Sequence, residues 1–226
     1  MIMIRSILSL FVAMCIGYAH STMAGLLDKD GMADWEICAM CHGADGISHM
    51  AKFPKLAGQK ADYISKQFKD FYWQRRANDG GQMQAITTEI EMNNLDAVAE
   101  YFAQLPIGPA ARLGDDVESQ QLFVRGKNIF RQVDDDGVSC AGCHELAMNS
   151  HAERSGSISD IDFIEAPILF AQHEAYLIKQ LEEFKSGVRN NDSTGRMSLA
   201  AENLDSESIR AVAFYLARKQ TKERSN

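Results

Sequence analysis

The chain is one unit written twice, and that repeat restricts its fold more than any other feature. Pro54, Leu56, Gln59, Tyr63, Gln67 and Phe71 recur 113 positions later as Pro167, Leu169, Gln172, Tyr176, Gln180 and Phe184. Met83, Val98 and Tyr101 recur 114 positions later as Met197, Val212 and Tyr215. A repeat of this kind calls for two copies of one structural unit. Each copy also carries a CxxCH motif, CAMCH at Cys38 to His42 and CAGCH at Cys140 to His144. These are offset by 102, so the second copy holds 11 extra residues between its histidine and its proline.

Between the copies runs LPIGPAARLG, in which Pro106 and Pro109 stop the preceding helix. The chain therefore divides into a leader at 1–24, a first domain at 25–105, a linker at 106–114 and a second domain at 115–226. Units of this size bury only marginal apolar cores, and a large covalently held ligand would help to complete them. Apolar residues recur at helical spacing throughout. Helices are expected over Met32 to Cys38 and Val124 to Gln132, entering or preceding the motifs, and over Ala61 to Arg75 and Glu174 to Lys185 after the prolines. A third helix closes each copy, striped by Leu95, Val98, Ala99 and Phe102, or by Ile209, Val212, Ala213 and Leu216. Asp205 has the position of an N-cap. No alternating stretch is long enough for a sheet, so the fold class is all-α.

CxxCH is the attachment signal for a c-type haem. Two thiols add across the two porphyrin vinyl groups, and the following histidine offers its imidazole to the iron. Cys38, Cys41 and His42 would hold one haem and Cys140, Cys143 and His144 another. Zinc is a weaker reading, because the two motifs would have to meet to supply four ligands. A thioredoxin-like pair would need strands that the helical pattern does not offer. Two disulfides, the ordinary reading of four exported cysteines, leave the paired histidines unexplained.

A haem iron has a sixth position. Methionine thioether there gives a carrier of raised potential, whereas an open site admits oxygen or peroxide. Met50, Met92 and Met148 have no methionine opposite them in the other copy, whereas Met83 and Met197 correspond. Each of these two follows an irregular polar segment, NDGGQ or NDSTGR, where a loop can carry sulfur to the iron. His49, His151 and His173 are unpaired between copies and read as surface or loop residues.

The first residues pair Arg5 with an apolar run from Ile7 to about Ala19 and then small residues, the layout of a secretory signal peptide. Cleavage after Ala24 or after Ala19 fits, and an uncleaved anchor is the alternative. Removal also removes Cys15, leaving only the four motif cysteines. The full chain carries 23 basic and 31 acidic side chains. That balance disfavours nucleic acid and anionic membrane surfaces as partners. Lys52, Lys55, Lys60, Lys66, Lys69, Arg75 and Arg76 form a local basic run, read either as a docking patch for an acidic partner or as a solvated face.

The run CAMCHGADG, then FPKLAGQ, Tyr63, Gln67, Phe71, an Arg-Asn segment, Met83 and a final helix ending in AEYFAQL resembles the first half of the dihaem cytochrome c4 family. The second half, with CAGCH, APILFAQ, FKSGVRNN, Met197 and AVAFYLARK, resembles its partner domain. The resemblance implies two tandem class I cytochrome c domains related by a pseudo-twofold axis, two covalently bound haem c groups, and His/Met ligation by His42 with Met83 and His144 with Met197. It implies that the Pro54 and Pro167 carbonyls accept the second imidazole proton, and that Gln59, Tyr63, Gln172 and Tyr176 line the haem pockets or the face between domains. It also implies a periplasmic carrier that shuttles electrons between respiratory-chain or periplasmic redox partners, toward a terminal oxidase, with peripheral association to a membrane complex allowed. The alternative is the electron-accepting subunit of a periplasmic dehydrogenase, such as a sulfide-oxidising flavocytochrome. Either way the chain is a carrier and not an enzyme, since peroxidase or thiosulfate-oxidising chemistry needs an open or Cys- or His-ligated iron. The second copy departs from the family between Glu145 and Glu165, where ELAMNSHAERSGSISDIDFIE replaces the GADG turn and reads as loop decoration or a partner contact.

Overall fold

The apolar stripes fold as helices. The computed structural model describes residues 27–134, 139–145 and 165–220, and every regular element among them is helical. The first copy supplies α1 (Asp34–His42), α2 (Ala61–Tyr72), α3 (Gln82–Thr87), a 3-10 turn (Met92–Asn94) and α4 (Leu95–Gln104). The second supplies α5 (Val117–Arg131), α6 (Cys140–His144), α7 (Glu174–Lys185), α8 (Arg196–Glu202) and α9 (Ser206–Arg218). No described helix is long and apolar enough to cross a membrane.

The closing helices α4 and α9 bury the stripes read from the sequence: Leu95, Val98, Ala99 and Phe102, like Ile209, Val212, Ala213 and Leu216, are at most 5% exposed. The Asp205 carboxylate caps α9 by accepting from Ser208 N at 2.7 Å, and Asp116 caps α5 through Ser119 N at 2.8 Å. Helix α5 lies tight against α9. A Cβ on Gly126 would stand 2.0 Å from the Ala211 carbonyl oxygen, so only glycine permits this approach. Phe130, Phe170, Leu177 and Tyr215 fill the core beside that crossing, while Ile37, Phe68, Ile90 and Leu95 form the core of the first copy. Among the described residues, each core cluster draws on one copy alone.

Several helix limits differ from those expected. α1 starts at Asp34 and runs through the motif to His42, where Gly43 turns the chain with φ of 83°. α5 begins at Val117, earlier than its apolar stripe shows, because the Asp116 cap rather than an apolar residue starts it. α2 ends at Tyr72 instead of Arg75: Gln74 takes the left-handed conformation at φ 57°, and the Trp73 and Gln74 amides donate back to Lys69 O and Phe71 O at 3.0 and 3.1 Å. In the second copy Gly187 makes the same turn with φ 75°. The two helices thus end alike, although only one uses the residue such an ending prefers.

Candidate functional site

Helical spacing puts Cys38 and Cys41 on neighbouring positions of α1, with His42 four residues after Cys38. α6 repeats the arrangement, started by the Ser139 hydroxyl, which accepts from Gly142 N at 3.1 Å. All four cysteines are free, half-buried thiols. His42 and His144 are each 5% exposed. His42 Nδ1 lies 2.8 Å from the Pro54 carbonyl oxygen, and His144 Nδ1 lies 2.9 Å from that of Pro167. A carbonyl can only accept, so Nδ1 carries the proton and Nε2 carries the lone pair. Burial pushes both imidazoles down, His144 to about 4, against the opposing pull of the proline carbonyls. Both are therefore neutral near pH 7, with the tautomer that a metal-binding Nε2 requires.

Burial also pushes the Cys38 thiol up to about 12 and raises that of Cys140. Among the described residues, no three His, Cys, Asp or Glu side chains converge to hold a metal ion, so the two motifs do not meet as zinc would need. Paired thiols beside an imidazole of fixed tautomer fit a porphyrin attached through thioethers, whose iron the free Nε2 lone pair would be able to ligate.

Met83 and Met197 do not sit in irregular loops. Each is the second residue of a short helix, α3 or α8, behind a left-handed glycine: Gly81 at φ 83° and Gly195 at φ 70°. The Met83 amide donates to Asp79 Oδ2, and the Met197 amide to Asp192 Oδ2 at 2.8 Å. Both side chains are half-buried. The two methionines are thus equivalent in geometry as well as in sequence.

The copies meet through residues that cross over between them. Arg76 donates to Gln67 Oε1 of its own copy at 2.7 Å, and to Gln180 Oε1 and the Tyr176 hydroxyl of the other at 2.7 and 3.1 Å. Arg189 repeats this in reverse, donating to Gln180 Oε1 at 2.7 Å and to Gln67 Oε1 and the Tyr63 hydroxyl at 3.3 and 3.2 Å. Asn78 reaches Glu183 at 2.5 Å and Asn191 reaches Asp70 at 2.7 Å. Such pairing, residue i with j' and j with i', marks a twofold-related contact within one chain. Both guanidiniums are 6% exposed and stack on Phe71 and Phe184, 4.6 and 4.3 Å from the ring centroids. Arginine suits this place because its planar fork satisfies several acceptors at once. The sequence reading put Gln59, Tyr63, Gln172 and Tyr176 in the haem pockets or at this face. The contacts put all four at the face.

The basic run is not one surface patch. Arg76 is buried in the crossed network, Lys55 donates to Pro109 O and Ala171 O at 3.1 and 2.6 Å, and Lys66 and Arg75 both pair with Asp70 at 2.7 and 2.8 Å. His173, read as a loop residue, also bridges the copies, its Nε2 lying 2.9 Å from the Ser48 carbonyl oxygen. Arg189 and Asn191 are not singled out by the sequence motifs, although the 113-residue offset that pairs the tyrosines and glutamines makes them the counterparts of Arg76 and Asn78. His151, Met148 and the leader lie outside the described residues.

A family model described as cytochrome C oxidase, cbb3-type, subunit III matches residues 30–102. Cytochrome c4 of Thiocapsa roseopersicina is 35% identical over 182 residues, which cover 80% of this chain and 85% of that one. The chain belongs to the cytochrome c4 family. The crystal structure of reduced recombinant cytochrome c4 from Pseudomonas stutzeri agrees at a TM-score of 0.62 and 28% identity, covering 87% of this chain and 100% of that one. A thiosulfate dehydrogenase electron acceptor of Stutzerimonas stutzeri is 32% identical over 194 residues, covering 82% of this chain and 80% of that protein. As a cytochrome c4, the chain is an electron carrier with two covalently bound haem c groups, and its all-α architecture is that of the solved cytochrome c4 structures.

Proposed function

We propose that Cys38 and Cys41 hold one haem and Cys140 and Cys143 the other, with His42 and Met83 as axial ligands of the first iron and His144 and Met197 of the second. The units are 25–105 and 115–226, joined by the 106–114 linker. The protein is exported by its leader, 1–24, and works in the periplasm, passing electrons from respiratory-chain or periplasmic donors toward a terminal oxidase. Haem iron supplies a one-electron couple. The chain's own work is to fix each imidazole tautomer, keep it neutral and hold it out of water. The observation that carries the assignment is the matched pair of buried imidazoles, each bonded through Nδ1 to a proline carbonyl at 2.8 or 2.9 Å. The cbb3-type subunit III model over residues 30–102 supports a place near an oxidase.

Ferric spectra of Met83→Ala and Met197→Ala test the ligands. Each single change is expected to abolish about half of the sulfur-to-iron charge-transfer band and to lower one reduction potential, because thioether ligation raises it. A full band in both variants would overturn the assignment.

Likeness to a thiosulfate dehydrogenase electron acceptor supports a second reading, in which the chain is the standing electron-accepting subunit of a periplasmic dehydrogenase. Carriers that meet partners transiently use small interfaces that separate easily. Size-exclusion chromatography of the natively purified protein in 1 M salt, where charge attraction is screened to about 3 Å, separates the two. A monomer supports the carrier, and a lasting stoichiometric complex supports the subunit.

A further inference from the structure

Each proximal histidine bonds to one end of a peptide group, and the other end of that same peptide group is held by the opposite copy. The Pro54 carbonyl accepts from His42, and the N–H on that same peptide plane, Lys55 N, donates to Gln172 Oε1 at 2.9 Å. In the second copy the Pro167 carbonyl accepts from His144, and Ile168 N donates to Gln59 Oε1 at 2.9 Å. The amides are locked in orientation by a second contact, Gln172 Nε2 to Lys55 O at 3.0 Å and Gln59 Nε2 to Ile168 O at 3.0 Å. Each glutamine oxygen accepts in addition from the next residue of its own chain, His173 N at 3.0 Å or Lys60 N at 3.1 Å. Both glutamines are at most 8% exposed, so water does not compete strongly for these groups.

Hydrogen bonds in series polarise one another, by perhaps 10–30% per bond. An acceptor on the peptide N–H makes the carbonyl at the other end a stronger acceptor. That draws the Nδ1 proton further and makes Nε2 a stronger donor to iron. A stronger imidazole donor favours ferric over ferrous iron. We infer that Gln59 and Gln172 are positioning residues that set the redox poise of the haem in the opposite half, each through one peptide group of that half. The relay is crossed: Gln172 acts on the Cys38/Cys41 haem and Gln59 on the Cys140/Cys143 haem. This rests on the proposed ligation by His42 and His144.

The test measures the two haem potentials of holoprotein by spectroelectrochemistry, with each haem identified by the NMR signals of its ring methyl groups. Gln172→Leu is expected to raise the ferrous-to-ferric ratio of the first haem by roughly threefold at fixed ambient potential, with the second haem unmoved. Gln59→Leu is expected to do the reverse. If the glutamines only held the halves together, both haems or neither would move, or the haem of the variant's own half would move, and any of these overturns the relay. Should a variant fail to load haem, amide exchange in the ferrous wild-type protein decides the matter: Lys55 and Ile168 N–H are expected to be strongly protected, and rapid exchange of either overturns the proposal. Hyperfine-shifted ring signals of His42 and His144 in the ferric wild type check the ligation separately. Their absence sinks the ligand reading, whereas their presence with uncrossed potentials sinks only the relay.

Discussion

Gln74 and Gly187 occupy the same left-handed turn at the ends of α2 and α7, at φ 57° and 75°. An L-residue there brings its Cβ against the backbone at a cost of about 1–2 kcal/mol, part of which glycine gives back through its greater freedom in the unfolded chain. Gln74→Gly is therefore expected to stabilise the holoprotein by up to about 1 kcal/mol, and Gly187→Gln to destabilise it by a similar amount, as read from denaturant midpoints. The proximal histidines show the same dependence on single contacts. Their proposed role as ligands is read from the motif, but their tautomer follows from the Pro54 and Pro167 carbonyls, which the chain reaches 12 and 23 residues later.

At the level of elements, the second copy rests on the crossing of α5 and α9. Gly126 has no room for a side chain, since a Cβ would fall 2.0 Å from the Ala211 oxygen and 2.8 Å from the Tyr215 Cβ. Backbone on both sides must then move. Gly126→Ala is expected to cost about 1–3 kcal/mol or more and to show as a lower unfolding midpoint for the second half, with the spectrum of the first haem intact. The helix pattern itself was readable because each stripe repeats at 3.6 residues. The ends are less legible: α2 ends at Tyr72 because a left-handed glutamine, Gln74, turns the chain where composition marks no stop, and α3 and α8 are short helices beside segments rich in Gly, Asp and Asn.

On the scale of the whole molecule, a buried polar network crosses the face between the halves, and neither apolar core cluster among the described residues spans it. Asp70 is its sensitive point. Burial alone would raise the Asp70 carboxyl, but hydrogen bonds from Lys66, Asn191 and Arg75 outweigh it and hold the group below the usual carboxylate range. A carboxyl depressed in the folded state contributes stability that is fully present above its unfolded value, about 3.9, and is lost as pH falls through the folded one. Asp70→Asn is thus expected to be less stable than wild type at pH 6, and the gap to narrow as pH drops below about 4. Denaturant titrations of both proteins across that range check it, and a gap independent of pH would refute the assigned role.

The sequence by itself determined the class of the protein: two helical units, each with a thiol pair and a histidine for one haem, and a pair of methionines singled out by the repeat. Those features are local, because helical periodicity and CxxCH spacing act within a few turns of chain. The face between the halves was decided only by tertiary structure. Arg76 and the basic residues beside it look like a solvated charge run in one dimension. Only when the copies pack crosswise does that run yield a buried arginine bonded to Tyr176 and a lysine bonded across the face, while Lys66 and Arg75 pair with Asp70 inside their own copy. The cross-face partners of Arg76 and Lys55, Tyr176 and Ala171, lie 100 and 116 residues away, and no short-range pattern encodes which of them a long, charged side chain will reach.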